Sequence, residues 1–346
     1  MKIDIVCSSG SPQGVIPEDI DDRGVGGAEL ALITTAEGFA TAGHDVRIFN
    51  NPREPGTHNS VTYLPVGDWD KDYSDTLILF RTPFHGAKEF KGNRVFWSCD
   101  QFTIGDFAKD VFPLVDRVVT ISPFHTKYFV YKYGLNEKRI TTIGIGVRTW
   151  EYEVGVEKVP GRAIFCSVPE RGLSHLRKIW EYLVRAHPEL SLVITSDYRL
   201  WGSPTPMNEH HRMQWSGVPN VEFLGKVSRS DLVEQQLKAQ WMLYPCIYDE
   251  LFCVALAECQ VAGVLPITSG AGALPTTNIT GIVVPGDARD VNWLKKYADV
   301  VIATMNKANE VYNPASIKKV SSRIFDVKFT LLAWEEVLNE HHRNVH

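Results

Sequence analysis

Several things are scarce in this sequence, and each absence narrows what the chain can be. No apolar run comes near the roughly 20 residues needed to cross a bilayer, so no membrane-spanning helix is expected. Positive charge is not in excess: 36 Lys and Arg stand against 41 Asp and Glu, a formal net charge of −5. That balance disfavours a general nucleic-acid or anionic-membrane surface, though a local basic groove is compatible with it. The six cysteines (Cys7, Cys99, Cys166, Cys246, Cys253 and Cys259) lie scattered, mostly inside apolar runs, and no two form a CxxC pair. A zinc site is therefore disfavoured and reduced core thiols are expected. His210–His211 and the tail HHRNVH have no second ligand group at metal spacing, so both clusters are read as solvated. The opening MKIDIVCSSG lacks the long apolar segment and cleavage site of an export signal. A cytoplasmic location is expected, with peripheral contact to a membrane left open. Low-complexity tracts are absent, as is any repeat with a period of about 20–50 residues.

What is present is the composition of a globular protein, 44% hydrophobic and 22% charged over 346 residues. That length exceeds one ordinary core, so two domains are expected. Strand-like and helical segments alternate along the first half. KIDIVCSS leads to a helical pattern, AELALITTAEGFATAG, and then to HDVRIFN, TLILF, RVFWS and RVVTIS. Around residues 144–160 the pattern lapses into GIGVRTWEYEVGVEKVPG, glycine-dotted and charged, which reads as a linker. Alternation then resumes with GRAIFCS, LSHLRKIWEYLVRAHP, LSLVITS, VEFLGKV, SRSDLVEQQLKAQ, WMLYPC and GVLPITS. The pattern predicts an α/β protein with two doubly wound, parallel-sheet domains, residues 1–150 and 158–327, facing across a cleft. Ligands of such sheets bind beyond the carboxyl ends of the strands. The last helix, FTLLAWEEVLNEHH, is expected to bury a face through Phe329, Leu332 and Val337.

Glycines mark two strand-to-helix loops. In DDRGVGGAEL, Gly26 and Gly27 precede the helix begun by Ala28 and Glu29, where free amides favour an anion and small residues permit close approach. Gly24-x-Gly26-x-x-Glu29 imitates part of a dinucleotide fingerprint, but the third small residue is missing and no acid ends the second strand, which closes IFNN. A nicotinamide dehydrogenase is thus disfavoured, and a plain tight turn is the bland alternative. In VPERGLSHL, Arg171 stands at a helix start, where its charge would oppose the helix dipole unless it serves a phosphate. Lys226, in EFLGKVS after another strand, is a candidate second cation.

The segment YDELFCVALAECQVAG, 248–263, places Glu250 and Glu258 around an apolar helical run. If Leu251 and Phe252 open that helix, eight residues span about 12 Å, the length from a sugar through a diphosphate to a ribose. Glu250 would then accept from sugar hydroxyls, the amides of Leu251 and Phe252 would seat the diphosphate, and Glu258 would meet the ribose.

Three segments carry a family resemblance: GVGGAELALITTAEGFATAGHDVRIF, SVPERGLSHL, and LGKVSRSDLVEQQLKAQWMLYPCIYDELFCVALAECQVAGVLPITS with the later TGIVVPGD. Together they resemble the retaining glycosyltransferases of GT-B fold, group 1 or family 4-like, typified by sucrose-phosphate synthases. The likeness implies that a UDP- or GDP-sugar is the donor and that Glu250, Leu251, Phe252 and Glu258 bind it. It also implies that Arg171 binds the diphosphate, that Gly26 and Gly27 border the reaction centre, and that the helix 328–346 around Trp334 packs back on the first domain. Cys166 stands where many relatives have a second basic residue, and Lys226 is the expected substitute. A histidine common after RVFWS is replaced by Cys99 or Asp100. Asp100 is the favoured acceptor-side group, with Arg81 and His85 as further candidates.

The implied reaction moves a hexose-type sugar to a hydroxyl with retention and without metal or other cofactor. Asp19-x-Asp21, Asp68-x-Asp70 and Asp70-x-Asp72 match a metal-binding pattern but lie in polar loops away from the glutamate block, so they are read as chance. The acceptor stays open among glycan, lipid-linked sugar, protein, small metabolite and modified base. A nucleotide-sugar epimerase and a non-catalytic nucleotide- or glycan-binding module are the alternatives.

Overall fold

The computed structural model describes residues 1–8, 14–103, 106–201 and 206–344. The side chains of the tail HHRNVH lie outside the described residues. The chain forms two units: Met1–Ile20 with Gly27–Gly146 and Val327–His346, and Asp21–Gly26 with Val147–Asp326. The chain therefore leaves the first unit inside the glycine-dotted stretch and returns for its last helix.

The first unit holds an eight-stranded sheet in the order β3-β4-β2-β1-β5-β6-β7-β8. Its strands are β1 Lys2–Val6, β2 Asp45–Phe49, β3 Gly56–His58, β4 Val61–Leu64, β5 Thr76–Phe80, β6 Asn93–Trp97, β7 Arg117–Thr120 and β8 Ile140–Thr142. All neighbours are parallel except β3 and β4, joined as a hairpin through Asn59 and Ser60, both with positive φ. Central strands are buried on both faces, as TLILF of β5 is at every position. Helices α1 (Gly27–Thr41) and α2 (Pro123–Tyr133) follow β1 and β7. Ser122 caps α2 by accepting from the amide of His125, and Gly134 closes it in the left-handed region.

The last helix, Val327–Asn344, packs on α1, and of the face expected for it Val337 is buried while Phe329 and Leu332 are not. Phe329 and Leu332 are 43% and 62% exposed, whereas Trp334 and Leu338 are buried. The covered stripe runs through buried Val327, half-buried Leu331 and buried Trp334 and Leu338, the i, i+4, i+7, i+11 spacing that keeps one side of an α-helix in register. Trp334 meets Phe39 and Trp97 edge-on at 5.9 and 5.1 Å. Gly38 leaves the space that Leu331 fills, since a Cβ there would stand 2.5 Å from Leu331 Cδ1.

The second unit has a six-stranded, wholly parallel sheet in the order β11-β10-β9-β12-β13-β14. Its strands are β9 Arg162–Phe165, β10 Ser191–Ile194, β11 Val221–Phe223, β12 Trp241–Tyr244, β13 Leu265–Ser269 and β14 Ile282–Val284. Its helices include α3 (Leu173–Ala186), α4 (Arg229–Lys238), α5 (Val254–Val261), α6 (Val291–Asn306) and α7 (Pro314–Phe325). Numbered within each unit, the parallel strands run 3-2-1-4-5-6-7 in the first sheet and 3-2-1-4-5-6 in the second, the doubly wound order with its switch point between strands 1 and 4. The fold is α/β throughout. No helix among the described residues is long and apolar enough to cross a membrane.

Trp334→Ala is expected to lower the stability of the first unit by about 3–5 kcal/mol. Leu332→Ser, on the opposite side of the same helix, should stay within about 0.5 kcal/mol of the parent. Denaturant midpoints compare the two, and equal losses would contradict the observed helix face.

Candidate active site

In the second unit the switch point lies between β9 and β12, and the loops leaving those strands are locked together. β9 runs into a short turn, Pro169–Arg171, then Gly172 and α3. Gly172 has φ +122°, and a Cβ on it would stand 2.5 Å from the carbonyl oxygen of Pro245, which follows β12. The loop after β13 approaches equally closely. Gly272, at φ +60°, leaves no room for a side chain against Glu250, and the amide of Ala273 donates to the Glu250 carbonyl at 2.6 Å.

This clamp sets the Glu250 side chain, which is 3% exposed. Arg171 Nη1 donates to both carboxylate oxygens at 2.8 Å. The Tyr244 hydroxyl donates to Oε1 at 2.6 Å and stands 2.9 Å from Ser167 Oγ. Burial first, then the Cys246 and Glu250 charges, push the Tyr244 hydroxyl well above its ordinary value, so it stays protonated and remains a donor. The Arg171 guanidinium also lies over the Tyr248 ring, 4.5 Å from its centroid. A buried acid thus has its counter-charge, and the dipole mismatch of Arg171 is answered by a carboxylate as well as by any ligand.

The helix after Glu250 begins later than expected. α5 opens at Val254, with Cys253 before it at φ +74°, so Leu251 and Phe252 lie in the preceding bend and their amides do not open the helix. The first helical amides belong to Val254 and Ala255. Phe252 packs edge-on against Phe325 at 6.1 Å, and both Leu251 and Phe252 are buried. Glu258 is the fifth helical residue rather than two turns in, and the span of about 12 Å built from eight helical rises does not apply. A left-handed residue at a helix cap cannot be seen in an apolar pattern.

Glu258 is buried and paired as well. Arg229 Nη1 stands 2.8 Å from its Oε1, and Gln236 Nε2 donates to Oε2 at 3.3 Å. Beside it, Cys166 Sγ is 3.7 Å from Cys259 Sγ. Lys226 lies beyond β11, and its amide donates to Asp197 Oδ2 at 3.0 Å. Asp197, at the carboxyl end of β10, also accepts from the Arg199 amide and from Asn208 Nδ2, each at 2.7 Å. Burial pushes its carboxyl upward, but Arg199 and these amides outweigh that and hold it below the usual range. Sequence reasoning missed Asp197 and Arg229; an acid three residues beyond the strand SLVI was the available signal for the first.

In the first unit the switch point lies between β1 and β5. Arg81 follows β5 directly and, though not glycine, takes φ +64°. Its Nε and Nη2 donate to the two oxygens of Asp100 at 2.6 and 2.9 Å, and its Nη1 to Glu29 at 3.0 Å. Asp100 follows β6 and is part-exposed; Glu29 is the third residue of α1. Gly27 opens α1, Gly26 falls in the stretch grouped with the second unit, and the left-handed glycine of that loop is Gly24, φ +65°. His85 begins a short turn, His85–Lys88, apart from this cluster. Burial pushes the Cys99 thiol beside Asp100 above its ordinary value, so it stays a neutral thiol. Of the aspartate pairs, Asp19 is buried and engaged by the Ile16 amide and Arg53. His211 is half-buried and stands 3.3 Å from the Tyr198 hydroxyl rather than solvated.

Arg171→Met leaves the buried Glu250 carboxylate without its counter-charge, an expected loss of about 3–5 kcal/mol. Glu250→Gln in that background should restore part of it, a non-additivity that a double-mutant cycle measures. His125 supplies a pH signature. Burial pushes its ring down to about 3 from an ordinary 6.5. Between those values the unfolded chain takes up a proton that the folded chain refuses, so stability falls as pH drops through that window. His125→Gln should flatten the fall, as read from denaturation midpoints at several pH values.

Residues 166–310 match the family glycosyl transferases group 1. The matched segment starts at Cys166 and contains Arg171, Lys226, Arg229, Glu250 and Glu258. No protein of curated function matches the sequence. Among solved structures, HepE of Anabaena, in complex with UDP and glucose, superposes over 98% of this chain and 99% of its own, with TM-score 0.67 and 15% identity. Sucrose-phosphate synthase from Thermosynechococcus elongatus does so over 99% and 98%, with TM-score 0.69 and 14% identity. AviGT4, a glycosyltransferase involved in avilamycin A biosynthesis, covers 99% and 98%, with TM-score 0.71 and 14% identity. At such identities the likeness identifies the fold, which is GT-B. With a group 1 domain on that fold, the chain is a glycosyltransferase.

Proposed function

We propose that the chain transfers a hexose-type sugar from a nucleoside-diphosphate sugar to an acceptor hydroxyl, with retention of configuration and without a metal ion. The observation that carries this reading is the Arg171–Glu250–Tyr244 cluster at the carboxyl ends of β9 and β12, where doubly wound sheets bind their ligands. Arg171, with Lys226 beyond β11, faces the diphosphate and stabilises the negative charge that grows on it as the sugar departs. Glu250 is oriented by Arg171 and Tyr244 to accept from sugar hydroxyls. The backbone of Leu251 and Phe252 borders the diphosphate, and Glu258 meets the ribose. HepE, solved with UDP-glucose over 98% of this chain's length, supports a uridine donor.

Asp100 is the acceptor-side group in this reading, held by Arg81 and Glu29, with Gly26 and Gly27 beside the reacting centre. The bond from the sugar's anomeric carbon to the diphosphate oxygen breaks, and a bond to the acceptor oxygen forms on the same face. The acceptor's proton passes to the departing phosphate, so no protein nucleophile is required. Six free cysteines support a reducing, cytoplasmic setting.

Transfer assays with UDP-glucose and GDP-mannose, with and without acceptor and EDTA, test this. Glu258→Ala should weaken donor binding about 10- to 100-fold, the loss of one charge-assisted hydrogen bond. Glu250→Ala should lower kcat by about 10²–10³-fold. Folded variants that turn over donor like the parent would overturn the assignment. Complete loss of activity with EDTA would overturn metal independence.

A further inference from the structure

Glu258 is held by a closed ring of buried side chains. Arg229, the first residue of α4, donates through Nε and Nη2 to Glu151 Oε2 at 2.9 and 2.6 Å, and its Nη1 stands 2.8 Å from Glu258 Oε1. Its Nη2 also reaches the Tyr152 hydroxyl at 3.3 Å. That hydroxyl donates to Gln236 Oε1 at 2.6 Å, and Gln236 Nε2 donates to Glu258 Oε2 at 3.3 Å. Tyr152 and Gln236 are fully buried, so neither can turn to water for a partner.

The direction of every bond in the ring follows from chemistry. A guanidinium only donates, so the Tyr152 oxygen accepts from Arg229 and its proton is free for Gln236. Burial holds that hydroxyl protonated, its tendency to ionise pushed well down. Gln236 therefore presents oxygen to Tyr152 and nitrogen to Glu258. Two donor chains converge on one carboxylate, one directly from Arg229 and one through Tyr152 and Gln236. A carboxylate has about four acceptor positions; two are taken and two remain. Arg148 Nη1 also stands 3.7 Å from Glu151 Oε1, so two arginines face the two glutamates, and the remaining positions on Glu258 suit a neutral donor such as a hydroxyl.

We propose that Arg229, anchored by Glu151 and backed by Tyr152 and Gln236, is the positioning residue that fixes which lone pairs of Glu258 meet the donor's ribose, and so sets the preference for ribose over deoxyribose. The inference rests on the reading of Glu258 as the ribose contact. A merely structural ion pair would hold α4 to the turn Thr149–Tyr152, and its loss would weaken all nucleotides alike. A positioning role instead changes the ratio between a ligand that has the 2′-hydroxyl and one that lacks it.

The test measures dissociation constants of a nucleoside diphosphate and its 2′-deoxy form by calorimetry, using whichever of UDP and GDP the parent binds. The proteins are the parent, Glu258→Ala, Arg229→Lys and Tyr152→Phe. Arg229→Lys keeps the charge but loses the fork, and Tyr152→Phe removes only the relay hydroxyl, so it keeps the test open if Arg229→Lys does not fold. The parent is expected to prefer the ribose form by about tenfold, the equivalent of one hydrogen bond to a charged group. Arg229→Lys and Tyr152→Phe should bring the ratio toward one with the affinity for the deoxy form unchanged. A tenfold parental ratio that Glu258→Ala abolishes but both ring variants retain would overturn the inference alone. A parental ratio near one, or one that survives Glu258→Ala, would overturn the ribose reading and the inference with it.

Discussion

Ionised carboxylates cannot lie buried in a protein without counter-charge and hydrogen bonds. In the second unit that constraint falls on Asp197, which meets the nearby Arg199, and on Glu250 and Glu258, each under a tenth exposed and each answered by an arginine from elsewhere in the chain. The arginines come from distant parts of the sequence. Arg171 arrives on the loop after β9 and Arg229 at the start of α4, so each ion pair forms only when the strands between them have paired in the right order. The polar sites and the sheet topology are one arrangement.

Strand order explains why the pairs stand where they do. In a sheet wound 3-2-1-4-5-6, the chain leaves strands 1 and 4 toward opposite faces, and the loops above them separate just enough to admit a ligand. Here those loops carry Arg171 and Glu250. The approach of Gly172 to Pro245, and of Gly272 to Glu250, removes the slack that such a gap would otherwise allow. The site is rigid on the side that would meet a diphosphate, and rigidity of this kind lowers the reorganisation that charge development demands.

The first unit repeats the order with different chemistry. Its switch point carries Arg81 between two carboxylates, one on the helix after β1 and one after β6, so the cluster keeps a negative balance. The backbone at Arg81 is held in the left-handed region, a conformation a non-glycine residue adopts only where its surroundings insist. A net negative, part-exposed cluster suits acceptance of protons from hydroxyl groups, as the cationic Arg171 suits a phosphate.

Much was legible in the sequence because local patterns set it. Apolar runs such as TLILF and WMLYP, alternating with helical periods, mark a doubly wound sheet whatever the tertiary details, and the glycine loops and the glutamate pair lie where that alternation places strand ends. The short strands β3 and β4 left no such mark, since three or four residues cannot establish a period. The face of the last helix was misread at Phe329 and Leu332, though not at Val337, because they are as apolar as Leu331 and Leu338, and only the surface of α1 decides which stripe is covered. The start of α5 was misplaced because Cys253 adopts a left-handed cap that long-range packing, not propensity, enforces. The sequence by itself determined the fold class, the strand ends and the acids at them, all properties of neighbouring residues. Tertiary structure alone decided the partners of those acids, because ion pairs such as Arg229 with Glu258 and Arg81 with Asp100 depend on which strands lie side by side, and no local spacing encodes that.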